Sequence, residues 1–300
     1  MRKAFVLGAG LGTRLRPLTD WLPKPLIPVV NRPLVTWAFD SLLAAGTTEF
    51  IVNTHHLADA WLQTFPEQLW QGRPIRFVHE HPEILETGGG IANIAPLVRD
   101  ASFWVYNGDI LSDLPLAAVE RFHREEGHLA TLVLRSSGPN PNVTFDAATG
   151  KVRDLRQALG TRPDRLHQFT GIYLVHPDFL SFVRPVRESV VPAFLRAITE
   201  HDRLGGIVVD EGDWWDLGDS ESYLDATMAL VRRGSFLGQS LAGQRIAPGA
   251  QVDPAAEIDG LTVLGEGCRV GPNVRLEECI VWPRANVEAG ARLQRGVIIP

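Results

Sequence analysis

Leu7-Gly8-Ala9-Gly10-Leu11-Gly12-Thr13-Arg14 closes an apolar run, residues 4–7, and the reading of the fold turns on this stretch. A short apolar segment that ends in glycines is a strand delivering a loop. Without side chains in the way, the backbone N–H groups of that loop can approach an anion. One reading is the dinucleotide turn of dehydrogenases, Gly-x-Gly-x-x-Gly opening a helix. Here the spacing is Gly-x-Gly-x-Gly, and the chain continues through Arg14, Arg16 and Pro17 instead of a clean helix.

Working outward, residues 50–53, 75–79 and 103–106 repeat the short apolar pattern of 4–7, with amphipathic stretches at 33–45, 57–64, 91–97 and 116–126 between and after them. This alternation predicts an α/β fold, a Rossmann-like, mostly parallel sheet with flanking helices and its loops at the carboxyl edge, where such sheets bind ligands. Residues 140–175 read as an antiparallel excursion with a turn at 147–150, returning to the sheet through the apolar run 169–175. Residues 189–201 and 220–232 are helical by pattern, and the segment 204–209 and the sequence Trp214-Trp215-Asp216-Leu217-Gly218 lie between them. After Gly234 aliphatic residues recur every six positions at Ile246, Val252, Ile258, Leu264, Val270 and Leu276. After a five-residue step come Val281, Val287 and Leu293, and after another Ile298. That period belongs to a parallel β-helix, in which each aliphatic side chain stacks on its counterpart one coil away. The expected organisation is a catalytic domain over residues 1–234 and a short left-handed parallel β-helix of hexapeptide repeats over 235–300.

Composition narrows the function. The chain has 300 residues and a net charge of -6, which argues against nucleic acid or an anionic membrane as partner, since those select clustered Lys and Arg. Two cysteines, Cys268 and Cys279, give neither a disulfide framework nor a metal-ligand spacing. No signal peptide or membrane-spanning run is visible, so the cytoplasm is the expected compartment.

Chemistry gathers at a few points. In Pro23-Lys24-Pro25-Leu26-Ile27-Pro28-Val29 the prolines on both sides of Lys24 fix the backbone and aim one ammonium. A site-facing lysine needs an anionic partner, and a triphosphate is the natural one. Asn107-Gly108-Asp109 ends an apolar strand and sets the Asp109 carboxylate at the edge of the sheet.

The glycine loop, Arg14 and the Pro-Lys-Pro turn, in this order and spacing, resemble the signature of sugar-1-phosphate nucleotidylyltransferases, and the likeness extends through Glu86-Thr87-Gly88-Gly89-Gly90-Ile91 and Trp215-Asp216-Leu217-Gly218. The resemblance implies an enzyme that joins a nucleoside triphosphate (NTP) to a sugar 1-phosphate with release of pyrophosphate, using Mg²⁺. It places Leu7, Gly8, Ala9, Gly10, Gly12, Thr13 and Arg14 on the nucleotide, together with Glu86, Gly88, Gly89, Asn107 and Gly108. Asn107, Gly171 and Glu188 fall to the sugar, and Asp109 with Asp216 to the metal. Arg14, Lys24 and Asp109 carry the catalytic roles. The chain departs from many relatives in lacking a Glu-Lys-Pro turn before residues 169–175, and Arg153, Arg156, Arg162 and Arg165 stay open as replacements for its lysine.

Three competing readings remain. Hexapeptide acyltransferases use a histidine between coils as base, and residues 241–300 contain none. A solenoid that shields the catalytic domain or makes a homo-oligomer fits better. An inactive nucleotide-sugar-binding regulatory subunit would not require Arg14, Lys24, Asp109 and Asp216 together. Within the enzymes, the 86–90 loop is similar to N-acetylmuramate-1-phosphate uridylyltransferases and the appended β-helix to mannose-1-phosphate guanylyltransferases.

Overall fold

The computed structural model describes residues 2–300. The apolar segments that alternate with helices assemble into one ten-stranded mixed sheet. Its order is 143–146, 151–155, 204–208, 130–135, 168–175, 103–107, 3–7, 49–54, 73–79 and 69–70. Lys3–Leu7 lies between Glu49–Thr54 and Phe103–Asn107, parallel to both, and Arg73–His79 extends the parallel run. Strands covered on both faces must be apolar along their length, which is why Ala4, Phe5 and Val6 and then Phe50, Ile51 and Val52 are all buried.

The excursion expected over 140–175 is a hairpin of Val143–Asp146 with Lys151–Leu155, and Gln168–Val175 then returns antiparallel between Phe103–Asn107 and Ala130–Arg135. Ala130–Arg135 is a strand that the pattern reading did not assign. The main core lies between this sheet and the helices, built from Phe5, Ile51, Val105, Leu132, Tyr173 and Phe194 among others.

One helix differs from expectation. Residues 91–97 were expected to be helical; the helix instead begins earlier, at Glu86, runs to Asn93 and breaks at Ile94 before a short turn, Ala95–Val98. Three consecutive glycines disfavour a helix by about 1 kcal/mol each, so the pattern hid its start. Packing overrides that cost. A Cβ on Gly89 would lie 2.0 Å from the Val186 carbonyl oxygen, and one on Gly88 2.8 Å from that of Ser189, so only glycine lets residues 186–189 pass this close.

The hexad pattern maps onto the solenoid position by position. Nine short strands form three parallel three-stranded sheets. They stack Val252, Val270 and Val287 in one column, Ile258, Leu276 and Leu293 in the second, and Leu264, Val281 and Ile298 in the third. Cys268 and Cys279 are buried among these aliphatics as free thiols.

Residues up to Leu11 together with Ala38–Trp214 form one compact unit, and Gly12–Trp37 together with Trp215–Pro300 form the second. The division drawn at residue 234 follows the change of repeat, whereas these units follow packing. Within the second unit Asn31 Nδ2 donates to the carbonyls of Gln244 and Leu264 at 2.8 and 2.9 Å, fastening an early turn to the first coil. Buried Tyr223 donates to the Pro28 carbonyl at 2.5 Å and accepts from Trp282 Nε1 at 3.1 Å. No helix of the described residues is long and apolar enough to cross a membrane.

Candidate active site

The first unit carries the expected site residues that lie at strand ends. Strand register puts Leu7 level with Asn53 on one side and Asn107 on the other, so three loops leave the sheet side by side. Gly108 N–H donates to the Leu7 carbonyl at 3.0 Å, joining the Gly8 and Asp109 turns. Asp109 is half-buried in that turn. Gly171 has a φ of +77°, and a Cβ there would meet Asn107 Nδ2 at 2.7 Å; Asn107 and Gly171, both expected at the sugar, do pack together.

The Glu86–Asn93 segment is engaged differently from expectation. The N–H groups of Gly88 and Gly89, expected to face a ligand, donate to the Glu188 carbonyl at 2.9 and 3.2 Å. Glu86 pairs with Arg187 at 3.2 Å. The Glu188 carboxylate, expected to meet sugar hydroxyls, accepts from the Arg184 amide and guanidinium, each at 3.0 Å. The Arg184 guanidinium outweighs the upward push of burial and, with help from the Arg184 amide, holds the Glu188 carboxyl below its ordinary range.

Two residues absent from the sequence assignment organise these strand ends. Asn53 Oδ1 accepts from Gly8 N–H at 2.7 Å and Asn53 Nδ2 donates to Glu80 Oε1 at 2.7 Å, while Glu80 Oε2 accepts from Leu85 N–H at 2.7 Å. The available signal was a polar residue closing each apolar strand, Asn53 after 50–52 and Glu80 after 75–79.

The second unit carries the expected cationic residues. Gly12, at φ +61°, turns the loop; its carbonyl accepts from Thr19 Oγ1 at 2.9 Å and from Leu15 N–H at 2.9 Å. Thr13 and Arg14 sit in the short turn Thr13–Leu15, with the Arg14 guanidinium close over Gly218, where a Cβ would come 3.1 Å from Nη1. Glycine at 218 therefore leaves room for Arg14. Beside it, the Ser222 amide and hydroxyl, helped by the Arg14 charge, hold Asp219 below the ordinary carboxylate range. Lys24 is only 7% exposed, and its Nζ lies 3.8 Å from Asp216 Oδ1. This carboxylate helps to offset the desolvation of the buried ammonium.

Asp216 is exposed, and among the described residues no group of three or more His, Cys, Asp or Glu is arranged to hold a metal. An accessible carboxylate is the kind of ligand Mg²⁺ takes, since that ion binds few protein oxygens and completes its shell with substrate phosphates and water.

Of the four arginines left open for the sugar phosphate, Arg153 is taken up by Asp146 and Asp202, at 3.1 and 2.8 Å. Arg165 donates to the Ser136 carbonyl at 2.5 Å, just past the carboxyl end of Ala130–Arg135. Arg156 and Arg162 are exposed.

A model of the family described as nucleotidyl transferase matches residues 3–233. The mannose-1-phosphate guanylyltransferase of Mycobacterium tuberculosis is 33% identical over 97% of this chain and 83% of its own length. A probable mannose-1-phosphate guanylyltransferase of Oryza sativa subsp. japonica is 29% identical over 99% of this chain and 81% of its own. HddC from Yersinia pseudotuberculosis has the same fold, with a TM-score of 0.62 at 18% identity over 77% of this chain and all of that one. With most of its length matched both by the family model and by a relative one-third identical, the chain belongs to the nucleotidyl transferase family.

Proposed function

We propose that the protein transfers a guanylyl group from GTP to mannose 1-phosphate, giving GDP-mannose and pyrophosphate. The observation that carries this reading is the similarity to named mannose-1-phosphate guanylyltransferases across 97–99% of the chain, solenoid included. A phosphate oxygen of the sugar phosphate attacks the α-phosphorus of the nucleotide. The bond from that phosphorus to the oxygen bridging to the β-phosphate breaks, and the pair of electrons leaves with pyrophosphate.

No covalent enzyme intermediate is needed, because holding two anions in line supplies the proximity. Arg14 and Lys24 bind the triphosphate and offset the charge that grows on its oxygens. Gly8, Ala9 and Gly10 bring the backbone close to the nucleotide, and the Glu86–Gly89 segment borders the base. Because Gly88 and Gly89 already donate to Glu188, base selection falls to other groups of this segment. Asn107 and Gly171 border the sugar. Asp109 and Asp216 would hold Mg²⁺, which supplies Lewis-acid charge stabilisation to the phosphates when bound.

The test is a matrix of UTP, GTP, dTTP, CTP and ATP against several sugar 1-phosphates with Mg²⁺, read as pyrophosphate release. GTP with mannose 1-phosphate is expected to be the strong pair. A strong cell elsewhere would reassign base or sugar, with UTP and N-acetylmuramate 1-phosphate marking the uridylyltransferase. A blank matrix with nucleotide-sugar binding in the calorimeter would replace the catalytic reading by the regulatory one.

A further inference from the structure

Asn53 and Glu80 lie 27 residues apart in sequence and are almost wholly buried, 2% and 1% exposed, at the ends of neighbouring strands. Polar side chains this deep are kept when their hydrogen bonds are complete. Gly8 N–H can only donate, so the Asn53 amide must turn Oδ1 to Gly8 and Nδ2 to Glu80. Leu85 N–H, at the other end, also only donates. Glu80 is thus met by a donor at each oxygen, and an acceptor-only carboxylate is the side chain that satisfies both. Gly90 seals the arrangement: a Cβ there would stand 3.2 Å from both Asn53 Nδ2 and Glu80 Oε1.

We infer that Glu80 is a positioning residue for the nucleotide: with Asn53 it forms a buried relay of fixed polarity that locks the Gly8 loop to the Leu85 entry of the Glu86–Asn93 helix. The inference rests on the proposed function, which assigns both segments to the nucleotide. At this point the Asn53 and Glu80 side chains link the two segments through three hydrogen bonds, each of fixed direction.

Polarity makes the relay testable by reversal. Glu80→Gln places an NH₂ against either Leu85 N–H or Asn53 Nδ2, and turning the asparagine only moves the clash to Gly8. Asn53→Asp alone sets two carboxylates against each other. The double substitution restores a donor to every acceptor with the middle bond reversed and one carboxylate retained.

Each single substitution is expected to raise the KM for the nucleotide about tenfold or more, the order expected for a buried donor or charge left unmatched, with a smaller change in the KM for the sugar phosphate. The double variant is expected to return to within about threefold of wild type, a coupling that unconnected residues do not show. Nucleotide KM unchanged in the singles, or a double defect equal to the product of the two, would overturn the relay. Hydrogen exchange at the Gly8 and Leu85 amides reads it without activity: protection lost in the singles and regained in the double supports it, and protection unchanged in the singles overturns it. A wild type that releases no pyrophosphate from any substrate pair would sink the functional reading alone, since the exchange experiment still decides the relay.

Discussion

Lys24 combines burial with a positive charge, and its ammonium lies 3.8 Å from the exposed carboxylate of Asp216. Lys24→Ala is expected to leave a folded protein whose turnover in the pyrophosphate assay falls by about a hundredfold or more, the scale seen when a placed charge or donor is removed from a reacting phosphate or oxyanion. Near-normal turnover would remove Lys24 from the mechanism. The sequence revealed this residue because flanking prolines are a local signal. Asn53 and Glu80 were not legible, because their roles depend on strand register bringing together residues far apart in the chain, and no local spacing encodes that. Glu188 was legible as a polar group near the site, but its carboxylate is satisfied by Arg184 and its carbonyl by Gly88 and Gly89.

Among elements, the solenoid was the most legible, since each of its nine strands contains one member of the hexad series and stacking is a nearest-coil property. Leu276 is fully buried between the coils, whereas Leu293, in the same column, is 40% exposed. Leu276→Ala is expected to cost about 2–5 kcal/mol as a core cavity. Leu293→Ala should cost well under half of that, because water already reaches the site. Urea midpoints of the two variants compare them directly; equal losses would mean that the outer coil is as well covered as the inner one. The Glu86–Asn93 helix was the least legible, since its glycines serve the approach of residues 186–189 at the expense of helix propensity.

At the scale of the molecule, acid should weaken the fold in two stages. Burial lowers His123 from 6.5 to about 4 and also lowers His128, and the two share Thr131 Oγ1 between their rings. An imidazole held neutral in the folded state favours the unfolded chain once that chain can take up the proton. Its contribution is complete above about pH 6.5 and is lost as pH falls towards about 4. Asp154 acts lower down: burial pushes its carboxyl up, but the Leu159 amide and the Thr161 hydroxyl and amide outweigh it and leave it below its ordinary value. That contribution is present above the ordinary carboxylate range and disappears below it. Urea midpoints from pH 7.5 to 4.5 should therefore fall in the wild type and fall less steeply in His123→Gln; parallel slopes would remove His123 as a cause. The two compact units interleave along the chain, and this orders events during synthesis. Residues 12–37, with Lys24 among them, are made some 200 residues before Asp216, Tyr223 and the carbonyls of Gln244 and Leu264 that receive them. At about 5–20 residues per second that is a wait of about 10–40 s. The contacts of the Lys24 turn with these later residues are complete only when the first coil of the solenoid has been translated.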